Sequence, residues 1–496
     1  MEGGDAAAQL AAKMRRDGLP ESVVRQFCHY YGLLVQQQAG YIPSAEAQPV
    51  EHLPALAALD ERCAALGRAL LDKVVIWKLN GGLGAGMGMH GAKSALSAKG
   101  PLSFLDIAAR QVLAQRRISG ARLPLVLMES CHNRRSASPI DDYGDLAQDL
   151  PLRLWQHRVP KVCADTLLPV SWPEDPEKEW CPPGHGDLYT ALASSGALAQ
   201  MLAAGYEYAF VANADNLGAV CEPRILGYMA QRGLAFLMEV ALRTPADRKG
   251  GHLARRSDGR LMLREAAQCP PDETHLFQDA ARYRYFNTNN LWIHLPSLQA
   301  LLDAQGGALR LPLIRNLKTV DPLDPSSPQV YHLETAIGAA LELFARAEAL
   351  LVPRSRFIPV KTTNDLLLLW SDAYQLTPSY RLRLSGCGVG FEGTAPPVVD
   401  LDPRYYRCVH ELQAHFPAGV PSLRNCRQFK VTGEVYFGRH VSLKGTIHII
   451  NERPSPLVIP DGVVLTGEVR VAQPRPRWVE CPTDGTAGIY VYPWVG

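Results

Sequence analysis

The 496 residues carry 51 lysines and arginines against 49 aspartates and glutamates, a net charge of +2, with 47% hydrophobic content. Such a chain buries more than one core, and its two signs of charge are interspersed without long runs, which argues against a nucleic-acid or membrane-surface binder. The eleven cysteines form no Cys-x-x-Cys pair and the start MEGGDAAAQLAAKMRR has no apolar signal core, so a disulfide framework, a zinc ribbon and secretion are not indicated and the expected address is cytoplasmic.

In chain order, residues 1–71 read as an N-terminal helical segment, with SVVRQFCHYYGLLVQQ and LAALDERCAALGRALLDK showing helical spacing of apolar residues. Short aliphatic runs follow: KVVIWKL, LPLVLME, YEYAFVAN, LAFLMEVAL and YFNTNNLWIHL. Amphipathic stretches such as SFLDIAARQVLAQRR and LYTALASSGALAQMLAAG lie between them. Strands alternating with helices argue for a largely parallel α/β sheet covered on both faces. This α/β unit spans 72–395. A repeat then appears, VTGEV at Val431, LKGTI at Leu443 and LTGEV at Leu465, which reads as stacked coils of a parallel β-helix over 396–472 or as an ordinary meander. Residues 473–496 form a tail with no usable period.

The run KLNGGLGAGMGMHGAKSAL, Lys78 to Leu96, holds six glycines directly after an apolar strand. Anionic oxygens need close backbone approach that Cβ atoms would obstruct, so the run reads as a phosphate-binding loop. Gly86-Met-Gly88-Met-His-Gly91 matches G-x-G-x-x-G, but the acidic residue nearest the required spacing, Asp106, falls inside a helical stretch. A Walker loop fails because Ala92 precedes Lys93-Ser94. A nucleotidyltransferase loop, with Lys93 neutralising a leaving pyrophosphate, fits the spacing. Further segments add chemistry. CPPGHGDLY stiffens the backbone around His185, NADN places Asp215 after a strand, FNTNNLW offers Asn287, Asn289 and Asn290, and RFIPVKTTNDLLLL places Lys361 between a strand and a helix.

Together, KLNGGLGAGMGMHGAKS, LPLVLMES, CPPGHGDLY, NADNLGA, FNTNNLW, LETAIGAA and VPRSRFIPVKTTNDLLL, in this order, resemble the eukaryotic-type UTP–glucose-1-phosphate uridylyltransferase (UDP-glucose pyrophosphorylase) family. The similarity continues into VTGEVYFGRHVSLKGTIHII and covers about Asp72 to Val471. It departs at Ala85-Gly86 and at Ala92, and the tail has no counterpart. The resemblance implies a Rossmann-like (GT-A-like) nucleotidyltransferase with a mixed α/β sheet and a C-terminal left-handed parallel β-helix, the latter a candidate surface for homo-oligomer formation. The implied reaction is UTP plus glucose 1-phosphate to UDP-glucose and pyrophosphate, reversible and Mg2+-dependent. By that resemblance Leu79, Asn80, Gly81 and Gly82 hold the nucleotide through backbone groups, Lys93 holds the triphosphate, and Gln156 with Gly184 reads uracil. Asp215 binds Mg2+, Lys361 sits between the reacting phosphates, and His185, Asn213, Asn289, Asn290 and Glu334 take the sugar and its phosphate.

Rival readings are a broad-specificity UDP-sugar or UDP-N-acetylhexosamine pyrophosphorylase, a dehydrogenase, a metalloprotease and a catalytically dead scaffold. Related enzymes that use UDP-N-acetylhexosamine or accept many sugars carry a comparable loop that usually includes an arginine, absent here. In HELQAH, His410 and His415 are five apart rather than four, so they do not share a helical face as a zinc pair would. A dead scaffold would be expected to have lost Lys93, Asp215 or Lys361, and all three are present.

Overall fold

The computed structural model describes residues 2–472 apart from 38, 39, 83, 90, 131–137, 245, 246, 249, 323 and 386–394, and the backbone of 477–480 and 488–491. Val74–Asn80 is buried along its whole length, as a strand covered on both faces must be. It pairs in parallel with Leu125–Glu129 on one side and Tyr208–Asn213 on the other. Leu125–Glu129 in turn pairs in parallel with Arg153–Trp155. Tyr285–His294 is antiparallel to both of its main neighbours, Tyr208–Asn213 and Phe236–Leu242. Phe236–Leu242 then runs parallel to Ala347–Leu351, and a hairpin of His252–Arg255 and Leu261–Arg264 completes a mixed sheet of nine strands. The sheet is therefore mixed, as the family resemblance implies, and not largely parallel as the strand–helix alternation alone suggested. Between Phe236–Leu242 and Tyr285–His294 the chain makes a hairpin and a four-residue helix, Thr274–Phe277, instead of the long crossover helix that parallel pairing requires.

Alternation along Val74–Asn80 divides the apolar residues between two layers. Val75, Trp77 and Leu79 face a cluster with Leu188, Leu192, Met201, Leu298 and Leu302. These come from helices Asp187–Ser194, Ala197–Ala203 and Leu295–Ala304. Val74 and Ile76 face the cluster built from Leu105, Val112, Ile225 and Met229, on helices Phe104–Ser119 and Pro223–Arg232. The amphipathic stretch after His185 is two helices because Gly196 takes φ +76° between them.

The N-terminal segment is helical only at its ends, in Glu2–Arg16, Glu21–Val35 and Glu61–Ala69. Pro43, Pro49 and Pro54 keep its middle extended, and it bridges to the sheet at Gln48↔Arg255 and Ala55↔Leu351. In the C-terminal part, Val398–Leu401, Ser422–Thr432, Ser442–Asn451 and Val464–Val471 pair in parallel, as do Val435–Phe437 and Leu457–Ile459. One apolar cluster joins this ladder to the rest of the chain: Phe429, Ile447 and Leu412 pack with Met87, Phe104, Leu217 and Val360. In the tail, Arg477–Glu480 pairs antiparallel with Gly488–Val491; its other residues, 473–476, 481–487 and 492–496, lie outside the described residues. No helix among the described residues is long and apolar enough to cross a membrane.

Helices Glu61–Ala69 and Pro223–Arg232 cross in backbone contact. A Cβ on Gly67 would lie 1.7 Å from the Pro223 carbonyl oxygen, and one on Gly227 would lie 1.8 Å from that of Cys63. Neither obstacle is a movable side chain. Gly67→Ala is therefore expected to lose about 1–3 kcal/mol in denaturant unfolding, whereas Gly32→Ala, with no neighbour within 4 Å of its Cβ, is expected to be neutral or stabilising. Equal stability of the two variants would contradict the close crossing.

Candidate active site

Three parallel strands end side by side, and the glycine loop starts where Val74–Asn80 stops. Asn80 donates to Glu129 Oε2 at 3.1 Å and accepts from the Ser94 hydroxyl. The Lys93 amide donates to the Gly82 carbonyl at 3.0 Å, which folds the loop back on itself. A Cβ on Gly82 or Gly91 would meet nothing within 4 Å, so the backbone here faces open space. Leu79 lies opposite Asn213 in the sheet, and the Ala214 amide donates to the Leu79 carbonyl at 3.0 Å.

Over this strand end, the Lys93 ammonium pairs with the Asp215 carboxylate and donates to the Val360 carbonyl at 2.7 Å. Lys361 is the next residue. Its amide donates to the Asp365 carboxylate, 2.9 Å away, and Asp365 also receives the Thr362 amide in a capping box that starts helix Thr363–Trp370. The Lys361 Nζ lies 5.4 Å from the centre of the Phe286 ring and 6.0 Å from that of Phe357. Burial raises the Glu265 carboxyl above its ordinary range and the Lys361 charge opposes that rise, so the exposed lysine has a carboxyl neighbour that its motif does not contain.

A second group gathers on the opposite side of the loop. Gln156 donates to the Gly184 carbonyl at 2.7 Å, and its Oε1 stands 3.5 Å from where a Gly81 Cβ would be. Gly184 has φ +81°, and a Cβ there would lie 2.5 Å from the Thr335 carbonyl oxygen. Only glycine fits. Residues 183–186 pair with Thr335 through Gly186 N–H to Thr335 O and Thr335 N–H to Pro183 O, both 2.9 Å. This brings Glu334 and Ile337 beside His185. The Ile337 amide donates to His185 Nδ1 at 2.9 Å, which assigns the ring proton to Nε2. Burial lowers the His185 pKa, with Glu334 pulling the other way.

Asn289 and Asn290 have different fates, and Asn287 accepts the Asn289 amide on its Oδ1 at 2.9 Å. Asn289 takes φ +59° and donates to Asn213 Oδ1 at 2.9 Å, while its own buried Oδ1 finds no partner among the described residues. Such an orphaned acceptor suits a ligand hydroxyl. Asn290 is fully buried and already spent: it donates to Glu239 Oε2 and the Arg356 carbonyl at 3.1 and 3.2 Å, and accepts from Asn216 at 3.1 Å. It touches the network beneath the site rather than its open face.

That network was not found by motif reading. Glu239 and Arg356 form a buried two-point ion pair, at 2.7 and 2.6 Å. Trp292 Nε1 donates to Glu239 at 2.9 Å, and Asn216 bonds to the Arg356 carbonyl and receives the Ile358 amide. Lys78, also buried, donates to the Ala219 carbonyl at 2.8 Å; burial, helped by Arg356, brings its pKa down to about 8. The available signal was the lone glutamate in the otherwise apolar run LMEVAL, since a charge in a covered strand needs a buried partner.

Among the described residues no three His, Cys, Asp or Glu side chains gather as a metal cage. A single carboxylate such as Asp215 fits a cation that takes most of its oxygen ligands from phosphate and water.

A family model described as UTP--glucose-1-phosphate uridylyltransferase matches residues 24–444. The chain belongs to this family. It is 40% identical over 402 residues to the probable UTP--glucose-1-phosphate uridylyltransferase of Schizosaccharomyces pombe, covering 81% of this chain and 77% of that one. With the Hordeum vulgare enzyme of the same name it shares 36% identity over 481 residues, 93% of this chain and 98% of the relative. A crystal structure of a mutant UDP-glucose pyrophosphorylase from Leishmania major in complex with UDP-glucose superposes with a TM-score of 0.88 at 44% identity, covering 94% of this chain and 99% of that one. The family is one of nucleotidyltransferases, and the glycine loop, Lys93, Asp215, His185 and Lys361 all fall inside the matched span.

A buried, depressed histidine contributes stability that is complete above its ordinary value and is lost as the pH falls through the lowered folded value. Nitrogen-detected NMR should therefore find His185 neutral and Nε2-protonated at pH 6.5, its ordinary value. Half-protonation at or above that pH, or an Nδ1–H tautomer, would contradict the Ile337 contact.

Proposed function

We propose that the protein transfers the uridylyl group of UTP to glucose 1-phosphate, giving UDP-glucose and pyrophosphate in a reversible reaction. The observation that carries this reading is the meeting of Lys93, Asp215 and the Val360–Lys361 turn above the open backbone of the glycine loop. A phosphate oxygen of glucose 1-phosphate attacks the α-phosphorus in line, the bond from α-phosphorus to the bridging oxygen breaks, and pyrophosphate leaves with that electron pair. No side-chain nucleophile is required, so the protein's task is to align two polyanions and spread their charge.

In this assignment the backbone of Leu79 to Gly82 lies against the nucleotide, and Gln156 with Gly184 recognises the uracil edge. Lys93 exchanges Asp215 for the triphosphate tail. Asp215 would hold Mg2+, which supplies Lewis-acid neutralisation of phosphate oxygens when bound. Lys361, held out by the capping box behind it, meets the reacting phosphates. His185 offers Nε2–H, Asn289 its free Oδ1, and Asn213 and Glu334 further polar groups to the sugar. Asn290, committed to Glu239 and Asn216, serves the sugar site by fixing the strand on which Asn289 sits.

The other finer assignments are of the same standing. We read the parallel ladders of 396–472 as coils of a left-handed β-helix and as the surface for self-association, with 72–395 as the catalytic unit. Eight free thiols among the described cysteines suit a reducing, cytoplasmic address.

A pyrophosphate-release assay over a panel of nucleoside triphosphates and sugar 1-phosphates tests the reading. UTP with glucose 1-phosphate is expected to be strongly preferred, because a polar pocket built around hydroxyls rejects analogues that leave its groups unpaired. Similar kcat/KM for N-acetylglucosamine 1-phosphate would instead indicate a broad-specificity UDP-sugar enzyme. Lys361→Ala should lower kcat by roughly 10² to 10³, about 2.7–4 kcal/mol, with UTP binding still measurable, while Lys93→Ala should mainly weaken UTP and pyrophosphate binding. Asp215→Asn should fold normally and lose most metal-dependent turnover. Wild-type activity in the Asp215 variant, or exchanged phenotypes for the two lysines, would refute the assignments.

A further inference from the structure

Lys361 stands just ahead of a short helix, and the segment that leaves the glycine loop grips that helix at both ends. Helix Thr363–Trp370 begins two residues after Lys361. Ahead of it, the Val360 carbonyl accepts from Lys93 at 2.7 Å. At its far end, the Lys99 ammonium donates to the Leu369 carbonyl at 2.9 Å, to the Trp370 carbonyl at 3.4 Å and to the Ser371 carbonyl. Trp370 Nε1 donates in the other direction, to the Ser97 carbonyl at 2.8 Å. Between these ties, fully buried Ala98 shares one apolar cluster with Val360, Leu366, Leu367 and Leu369. Residues 93–99 and 360–371 are thereby laced together along their length.

The last carbonyls of a helix have no partner within it and carry its negative pole. An ammonium, with three donors and no acceptor, suits that end. Lys99 brings its charge from a part of the chain that is fixed without the helix: its strand Ser97–Lys99 pairs with Leu102–Ser103, and Ser103 caps helix Phe104–Ser119 in a capping box with Asp106. The start of helix Thr363–Trp370 is held by another body. The Thr363 hydroxyl donates to the Tyr406 carbonyl, and Asn364 Oδ1 receives the Leu401 amide at 3.2 Å, both from the C-terminal part of the chain. When the Lys99 bonds are lost, these ties weigh more heavily in setting where Lys361 stands.

We propose that Lys99 is a positioning residue for uridylyl transfer, a role that rests on the reading of Lys361 given above: it fixes the helix behind Lys361 to the glycine-loop segment, so that Lys361 and the bound triphosphate keep one registration. Lys99 itself touches no substrate. Its effect reaches the reaction through Lys361, and in-line displacement is sensitive to such placement, since a shift of about 1 Å can cost roughly 10²-fold in rate. The glycine loop keeps its own ties, from the Ser94 hydroxyl to Asn80 and from the Lys93 amide to the Gly82 carbonyl. UTP binding therefore does not depend on Lys99.

Lys99→Met keeps the apolar stem of the side chain and removes its donors. In the full chain, with pyrophosphate release giving kcat and calorimetric titration giving UTP affinity, it is expected to lower kcat by about tenfold to a hundredfold while UTP affinity stays within about twofold of wild type. Lys99→Arg, which restores a charged multiple donor, should recover most of the rate. The deciding variant is Lys99→Met/Lys361→Ala. Because Lys99 acts through Lys361, the double variant should be no slower than Lys361→Ala alone, whereas a general loss of structure would multiply the two effects. If Lys99→Met does not fold, Trp370→Phe, which loses only the bond to Ser97, takes its place in the same cycle, with an expected loss of about three- to tenfold. Wild-type kcat in Lys99→Met, a fall in UTP affinity that matches the fall in kcat, or an undiminished effect in the double variant overturns the role. Wild-type kcat in Lys361→Ala by itself refutes the reading of Lys361 and takes the role of Lys99 with it.

Discussion

The arrangement at the open end of the sheet depends on one buried ion pair, Glu239 with Arg356. Removing two charges from water costs several kcal/mol per ion, and the pair survives only if every remaining lone pair and proton is used. Here they are. The Glu239 carboxylate accepts two bonds from Arg356 and one each from Trp292 and Asn290, while the Arg356 carbonyl receives Asn216 and Asn290. Four stretches of chain meet at this point: the strand Phe236–Leu242, the strand Tyr285–His294, the loop after Asn213, and the segment leading to Lys361. The side chains that face the open site are the neighbours of those that hold it from beneath. Asn289 adjoins Asn290, Asp215 adjoins Asn216, and Lys361 follows five residues after Arg356.

Much of this was legible from the residues. Each of the aliphatic runs became a strand because it is bounded by polar or glycine-rich text and is long enough to cross the sheet. That the glycine loop and Asp215 follow strand ends, and that Lys361 precedes a helix, was legible from the apolar runs and turn residues around them, although the strand expected just before Lys361 is absent. Lone charges in covered strands were legible only as a problem. Glu239 announces that it needs a partner, but the partner lies 117 residues away, and no local period encodes that distance.

Other features escaped the sequence for equally physical reasons. Whether Asn289 or Asn290 faces the site depends on a left-handed residue and on a register shift between Glu239 and Val240, and simple alternation does not anticipate either one. The proton on His185 Nε2 follows from the Ile337 amide, a backbone group whose position only the fold sets. Residues 40–55 fell inside the segment expected to be helical, and three prolines kept them extended. The shared apolar cluster between Met87 and Phe429 likewise ties the glycine loop to a part of the chain that composition alone would have set apart.

The central claim is that the Glu239–Arg356 network, and not local motif geometry, holds Asn289 and Asn290, and with them the proposed sugar site, in place. UDP-glucose affinity of the Glu239→Gln/Arg356→Met double variant tests it most directly, because removing both charges avoids the roughly 3–5 kcal/mol that an unpaired buried ion would cost and leaves a folded protein to measure. The account predicts a double variant more stable than either single one that nevertheless binds UDP-glucose at least tenfold more weakly, about 1.4 kcal/mol. Wild-type affinity in that folded double variant would contradict it.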